Sequence, residues 1–137
     1  MGDVGITAGP FAFAARFEQG AAPRTCAKFA SILPYRERLI HVRWSGEACW
    51  IPLGELDLDL GYENATSYPA PGQFILYPGG ISETEILLAY GSVRFASKAG
   101  QLAGNHFLTV IDGAETLPEL GRLTLWQGAQ AIEFTLI

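Results

Sequence analysis

With 137 residues, a formal charge of −5 and a pI near 4.9, the chain lacks the basic stripe that nonspecific nucleic-acid binding relies on, and its 9 basic residues are scattered. Apolar residues make up 49% of it and charged ones 17%, mean hydropathy is +0.19, and the longest apolar runs are strand-sized, too short for a membrane span. A domain of this length buries roughly two thirds of its extended-chain surface, enough for its own core, and so low a surface charge points to a homo-oligomer that covers an apolar patch.

Residues 1–10, with three glycines and a proline, read as a flexible lead-in, and 11–137 as a single domain. Phe11, Phe13 and Ala15 alternate with smaller residues up to Phe17 as a first strand. Pro23 suits the first position of a helix in which Cys26, Phe29, Ala30 and Leu33 recur at helical spacing, and Pro34 ends it. Residues 39–51 follow as a hairpin over Ser45-Gly46, and Glu55 to Gly72 as a long structured loop. Phe74 to Tyr77 and Ile81 to Tyr90 pair across Pro78-Gly79-Gly80, with a further strand over Gly91 to Ala96. Phe107 to Ile111 reads as a strand, Glu115 to Leu120 as a helical turn, and Leu123 to Trp126 with Ala131 to Leu136 as a closing hairpin around Gln127-Gly128. About eight short strands with one or two helices fit a closed antiparallel barrel capped by helix, or a sandwich carrying one extra helix.

The hairpin carries the densest set of recognition residues: His41-Val-Arg43-Trp44-Ser-Gly-Glu47-Ala-Cys-Trp50. Pairing Trp44 with Glu47 places Val42 by Cys49 and Ile40 by Ile51 on one face, with Arg43/Ala48 and His41/Trp50 on the other. A cation, an imidazole and an indole then share a face able to hold an anionic or planar ligand, or form an exposed face where arginine covers an indole. Glu83 and Glu85, two apart on a strand, project to one side as a metal or acid/base pair, or as a solvated face. The loop Glu63 to Tyr68 is a second candidate rim, with Tyr68, Tyr77, Glu83 and Asn105 candidates to converge on the hairpin. His106 opens an apolar strand, where a lone imidazole is more often structural than catalytic.

No cofactor motif is present: Gly79-Gly80 lacks the lysine and following helix of a phosphate loop, and two histidines without a cysteine cluster give no metal-ligand spacing. Cys26 and Cys49 read as small core residues of a reducing compartment. The N-terminus shows no basic segment leading into an apolar run and cleavage site, so the chain is expected in the cytoplasm, away from membranes.

Ala22-Pro23-Arg24-Thr25, followed by the helical Phe29, resembles the cyclophilin pattern Ala/Val-Pro-x-Thr, and Ile40-His41-Val42-Arg43 falls where cyclophilins carry a Phe-His-Arg strand. Pro71-Gly72-Gln73-Phe74-Ile75-Leu76-Tyr77-Pro78 is similar to the Pro-Gly-Asp-hydrophobic-Tyr/Trp-x-Pro segment of small cyclophilin-like proteins. Gly104-Asn105-His106-Phe107, Asp112-Gly113 and Leu120-Gly121-Arg122 echo their later elements. The chain thus resembles the bacterial cyclophilin-like family of unknown function over nearly everything after residue 12. That resemblance implies a mainly β, closed antiparallel barrel of about eight strands with one or two capping α-helices. Of the proline isomerase set, only Arg43 is a candidate, and the Gln-Gly-Gly-Asp that follows it in those enzymes is replaced by Trp50-Ile-Pro-Leu.

The expected function is binding of a small polar or anionic metabolite, or a short peptide, in a groove lined by His41, Arg43, Trp44, Glu47 and Trp50, with Tyr68, Tyr77, Glu83, Glu85, Asn105 and His106 as further candidates. The alternatives are a proline isomerase or other low-specificity enzyme, and a structural subunit of a larger complex.

Overall fold

Alternation of buried and solvent-facing residues, the mark of a strand with one face on a core, begins at Val4 in the computed structural model, which describes residues 2–137. In chain order the elements are β1 (Val4–Ala8), β2 (Phe11–Phe17), α1 (Pro23–Ser31), β3 (Tyr35–His41) and β4 (Gly46–Gly54). There follow β5 (Ala65–Thr66), β6 (Gln73–Tyr77), β7 (Thr84–Val93), β8 (Ala96–Ser97), β9 (Gly100–Gln101), β10 (Gly104–Asp112), α2 (Leu117–Gln127) and β11 (Gln130–Leu136). Eight strands run antiparallel in the order β1-β11-β3-β4-β7-β6-β10-β2, and β2 pairs back onto β1, so the sheet closes on itself. Closure removes the open edges that a flat sheet would present. The result is a mainly β closed barrel with two helices, one of the two architectures the strand count allows.

The interior is aromatic. Phe29 from α1 meets Phe107 at 5.0 Å and Phe134 at 5.1 Å, both edge to face, the geometry that favours ring quadrupoles. α2 adds Leu117 and Leu120 to the same interior.

A second, smaller core lies outside the barrel wall. The outer faces of β4, β6 and β7 carry Ala48, Ile75, Tyr77 and Leu87, and the arm 94–103 crosses them, burying Phe95 and Leu102. Phe95 packs edge to face on Tyr77 at 5.8 Å. Ser45, itself buried, pins the start of this arm: its hydroxyl donates to Ala96 O and accepts from Ala96 N–H, each at 3.1 Å.

Four sequence expectations change. The lead-in 1–10 contains β1, which is paired on both sides, to β11 and β2. Leu123 to Trp126 belong to α2 rather than to a closing hairpin, because Leu117, Leu120, Gly121 and Thr124 supply a buried stripe at helical spacing. β7 runs on to Val93, and Ala96–Ser97 pairs only with Gly100–Gln101, so 91–96 adds no separate barrel strand. In the 39–51 hairpin the register is Ile40 with Trp50 and His41 with Cys49, one residue from that expected, because Arg43–Ser45 winds into a 3-10 turn and lengthens the connection.

Among the described residues no helix is long and apolar enough to cross a membrane.

Candidate functional site

The one-residue register difference moves whole side chains between faces, since strand side chains alternate. His41, paired with Cys49, turns to the barrel interior, and Trp50, paired with Ile40 and Leu87, turns outward. The expected His41/Trp50 face therefore does not form. Two separate polar places replace it, one inside the barrel wall and one outside.

Outside, Trp50 borders a cleft of about 570 Å³. Trp44, carried on the 3-10 turn, stands 6.3 Å from Trp50 with their planes at 67°, so the two indoles form a corner. Ile81, Ser82 and Glu83 from the β6–β7 loop make the facing wall, and Ser97, Lys98 and Ala99 from the tip of the arm make the rim. The Lys98 ammonium lies 6.0 Å over the Trp44 ring, a cation–π position.

Glu85 lies at the base of this cleft. It faces outward from β7, flanked in the ladder by Pro52 on β4 and Tyr77 on β6, and it is only 3% exposed. Among the described residues its carboxylate has neither a salt-bridge partner nor a side-chain hydrogen bond. Burial, reinforced by the nearby Glu83, pushes its pKa up to about 8. At neutral pH the group is therefore largely a protonated acid, able to donate a hydrogen bond or to surrender its proton to a cation. A buried carboxyl without a partner is costly for folding alone, and such groups cluster at functional sites.

The wall of the cleft is held from below by Tyr77. Its hydroxyl oxygen accepts hydrogen bonds from the N–H groups of Ile81 at 3.0 Å and Ser82 at 3.2 Å. Glu83 lies just before β7 rather than on it, so the expected strand pair Glu83/Glu85 does not form; both carboxyls nevertheless line the cleft, one from the loop and one from the strand. An adjoining hollow of about 630 Å³ shares Ile81, Ser82 and Glu83 and adds Glu55 and Asp57.

Inside, the His41 Nε2 hydrogen-bonds the Tyr90 hydroxyl at 2.7 Å, while Nδ1 is buried without a partner among the described residues. Burial first, then the Arg43 charge, holds this imidazole below its usual pKa. Tyr90 lies flat against Gly121 of α2, where a Cβ would overlap its ring. Arg43 itself is exposed on the turn and Glu47 accepts the Ser92 N–H at 2.8 Å; neither lines the cleft.

The remaining candidates are dispersed. Asn105, fully buried, donates to Thr25 Oγ1 at 3.2 Å and Gly61 O at 2.9 Å and accepts from Glu63 N–H at 3.1 Å, fastening the 61–66 loop to α1. His106 shares a hydrogen bond with Thr109 at 2.8 Å, and Thr109 donates to Glu18 at 2.7 Å. Burial lowers the His106 pKa, and the Thr109 hydrogen bond lowers that of Glu18. Tyr68 is 63% exposed and stands away from the cleft. Spacing alone had not singled out Lys98 or the 94–103 arm, which only the tertiary crossing brings to the indoles. Among the described residues no three of His, Cys, Asp and Glu gather into a metal-ligating group.

A family model described as a protein of unknown function, DUF3830, matches residues 4–136, and the chain belongs to that family. No curated protein matches the sequence. Among solved structures, that of McbB in complex with tryptophan is similar at a TM-score of 0.73 and 14% identity, over 97% of this chain and 44% of McbB. The chain thus spans less than half the length of McbB. The solution structure of the hypothetical protein AF2241 from Archaeoglobus fulgidus is similar at a TM-score of 0.65 and 13% identity, over 99% of this chain and 95% of that one. At these identities the likeness is one of fold.

Proposed function

We propose that this member of the DUF3830 family is a small-molecule-binding protein on a cyclophilin-like barrel, and that its ligand lies in the cleft between Trp44, Trp50 and Glu85. Glu85 is the observation that carries this: a carboxyl 3% exposed, without a partner, at the base of an open cleft with two indole walls. The cleft volume of about 570 Å³ lies in the range of roughly 300–1,000 Å³ typical of small-molecule sites, which pair apolar or aromatic walls with a few placed polar groups. The McbB structure, described with tryptophan bound, offers an example of a small molecule held by a protein that contains this fold. The eight-strand closure with two helices is what the cyclophilin resemblance implies. Proline isomerisation is no part of the proposal, because Arg43, the one arginine that resemblance offers, lies outside the cleft lining.

A thermal-shift screen of a fragment library against three proteins tests this: the wild type, Trp50→Ala and Arg43→Ala. Compounds that stabilise the wild type are expected to stabilise Arg43→Ala equally and to lose their effect on Trp50→Ala. Compounds that stabilise Trp50→Ala as well as the wild type would place the site elsewhere.

A further inference from the structure

We propose that the ligand of this cleft carries a positively charged nitrogen, an organic ammonium held between the two indole faces and the Glu85 carboxylate. This rests on the small-molecule reading above and narrows it to one charge.

Three features of the cleft select a cation. Glu85 is buried and has no ion-pair partner among the described residues, so on losing its proton it supplies a negative counter-charge that no side chain there offsets. The indoles of Trp44 and Trp50 both line the cleft, set edge to face at 6.3 Å, and an indole attracts cations through its quadrupole. Lys98 places an ammonium on this wall, 6.0 Å over the Trp44 ring and not within ion-pair distance of Glu83 or Glu85. Lys98 thus occupies, from a rim turn, a position that a ligand ammonium is suited to share or take.

The charges around the cleft agree. Glu83 faces it from the β6–β7 loop, Glu55 and Asp57 line the hollow across the shared wall, and Lys98 is the single cation lining either space. From β4 come only Trp50 and the uncharged Pro52, and from β6 the Tyr77 phenol. An anionic ligand would meet carboxylates with one ammonium to offset them.

Binding an ammonium replaces the proton on Glu85. Below about pH 8 the carboxyl is mostly protonated, so the cation binds as one proton leaves Glu85 for solvent, and affinity rises with pH until the group is ionised without help. A neutral ligand that accepts a hydrogen bond from the protonated acid shows the opposite trend.

The test is isothermal titration of the whole protein with choline and phenethylammonium, each against its neutral near-isostere, 3,3-dimethylbutan-1-ol and 2-phenylethanol. Runs between about pH 6 and pH 9, in two buffers of different ionisation enthalpy, report proton release. At least one cation is expected to bind about tenfold or more tighter than its isostere, with affinity rising up to about pH 8 and a proton released below it. Glu85→Gln should erase that preference. Lys98→Gln, a substitution on an exposed turn, should tighten cation binding by removing a competing charge, and it keeps the test decisive if the Glu85 variant fails to fold. Neutral compounds binding as tightly as the cations, or weaker cation binding in Lys98→Gln, overturns the ammonium assignment while leaving the small-molecule reading in place. Absence of binding by all four compounds overturns the ammonium assignment, and joined to a fragment screen without hits it overturns both.

Discussion

Glu85 and Tyr77 are direct partners across the β6–β7 ladder, side by side on the outer barrel face. The first is an unpaired acid at the base of the cleft, and the second holds up its wall through the Ile81 and Ser82 N–H groups. Removing the hydroxyl alone in Tyr77→Phe leaves both amides without their acceptor. The expected cost is about 1–3 kcal/mol of stability, with faster amide exchange confined to 78–83. Chemical denaturation and hydrogen exchange check this; unchanged protection at Ile81 and Ser82 would contradict it.

The pH dependence of stability follows from the same acid. The Glu85 pKa stands at about 8 in the folded chain against 4.5 for a free glutamate, so the folded state holds a proton that the unfolded state loses over that interval. Stability is then fully supported below about pH 4.5, declines as pH rises through the interval, and levels off above about pH 8. Glu85→Gln should melt near the wild type at about pH 5 and above it at about pH 9. Parallel melting curves of the two proteins across this range would refute the assignment.

Helix α1 has no capping side chain at Ala22, and the Thr25 N–H is instead accepted by Glu63, 38 residues away in the chain. A carboxylate at a helix N-terminus satisfies a free amide and complements the helix dipole. Glu63→Ala should cost about 1 kcal/mol and expose the 55–66 loop to proteolysis while leaving the barrel folded. Limited proteolysis with intact-mass readout measures this, and an unchanged cleavage rate would deny the loop its anchor.

Tyr90 occupies the space that the absent Gly121 side chain leaves, with its hydroxyl on His41. Gly121→Ala must push the ring aside or break that hydrogen bond, a local overpacking expected to cost about 1–3 kcal/mol. The His41 ring NMR signals should shift in Gly121→Ala and stay in place in a control such as Gly20→Ala, where a Cβ meets nothing. Equal behaviour of the two variants would argue against the contact.

Much of the barrel is legible in the sequence because its strands alternate openly. Phe11 to Phe17 and Phe74 to Tyr77 form strands as read, and Pro23 starts the helix it was expected to start. The errors have physical causes. β1 hides because Gly5 and Gly9 break up a real alternation of Val4, Ile6 and Ala8. Leu123 and Leu125 mimic a strand, although the buried stripe sits at Leu117, Leu120 and Thr124, the helical signal that decides. Ser45-Gly46 looks like a two-residue turn, but the Ser45 hydroxyl is drawn to Ala96, a contact 51 residues away that no local pattern carries. That single contact goes with the register that separates His41 from Trp50. Trp44, Trp50, Glu83 and Glu85, candidates from the sequence, line one cleft, while His41, Arg43 and Glu47, candidates for the same groove, do not.

The most direct measurement is a ¹⁵N spectrum of the indole N–H groups during titration with choline. Of the chain's 3 tryptophans, Trp44 and Trp50 line the cleft, while Trp126 is 73% exposed on α2 and serves as an internal reference. Saturable shifts of the Trp44 and Trp50 signals, with Trp126 unmoved and the effect lost in Glu85→Gln, are the predicted result. Shifts of all three signals together, or of Trp126 alone, would contradict the cleft as the binding site.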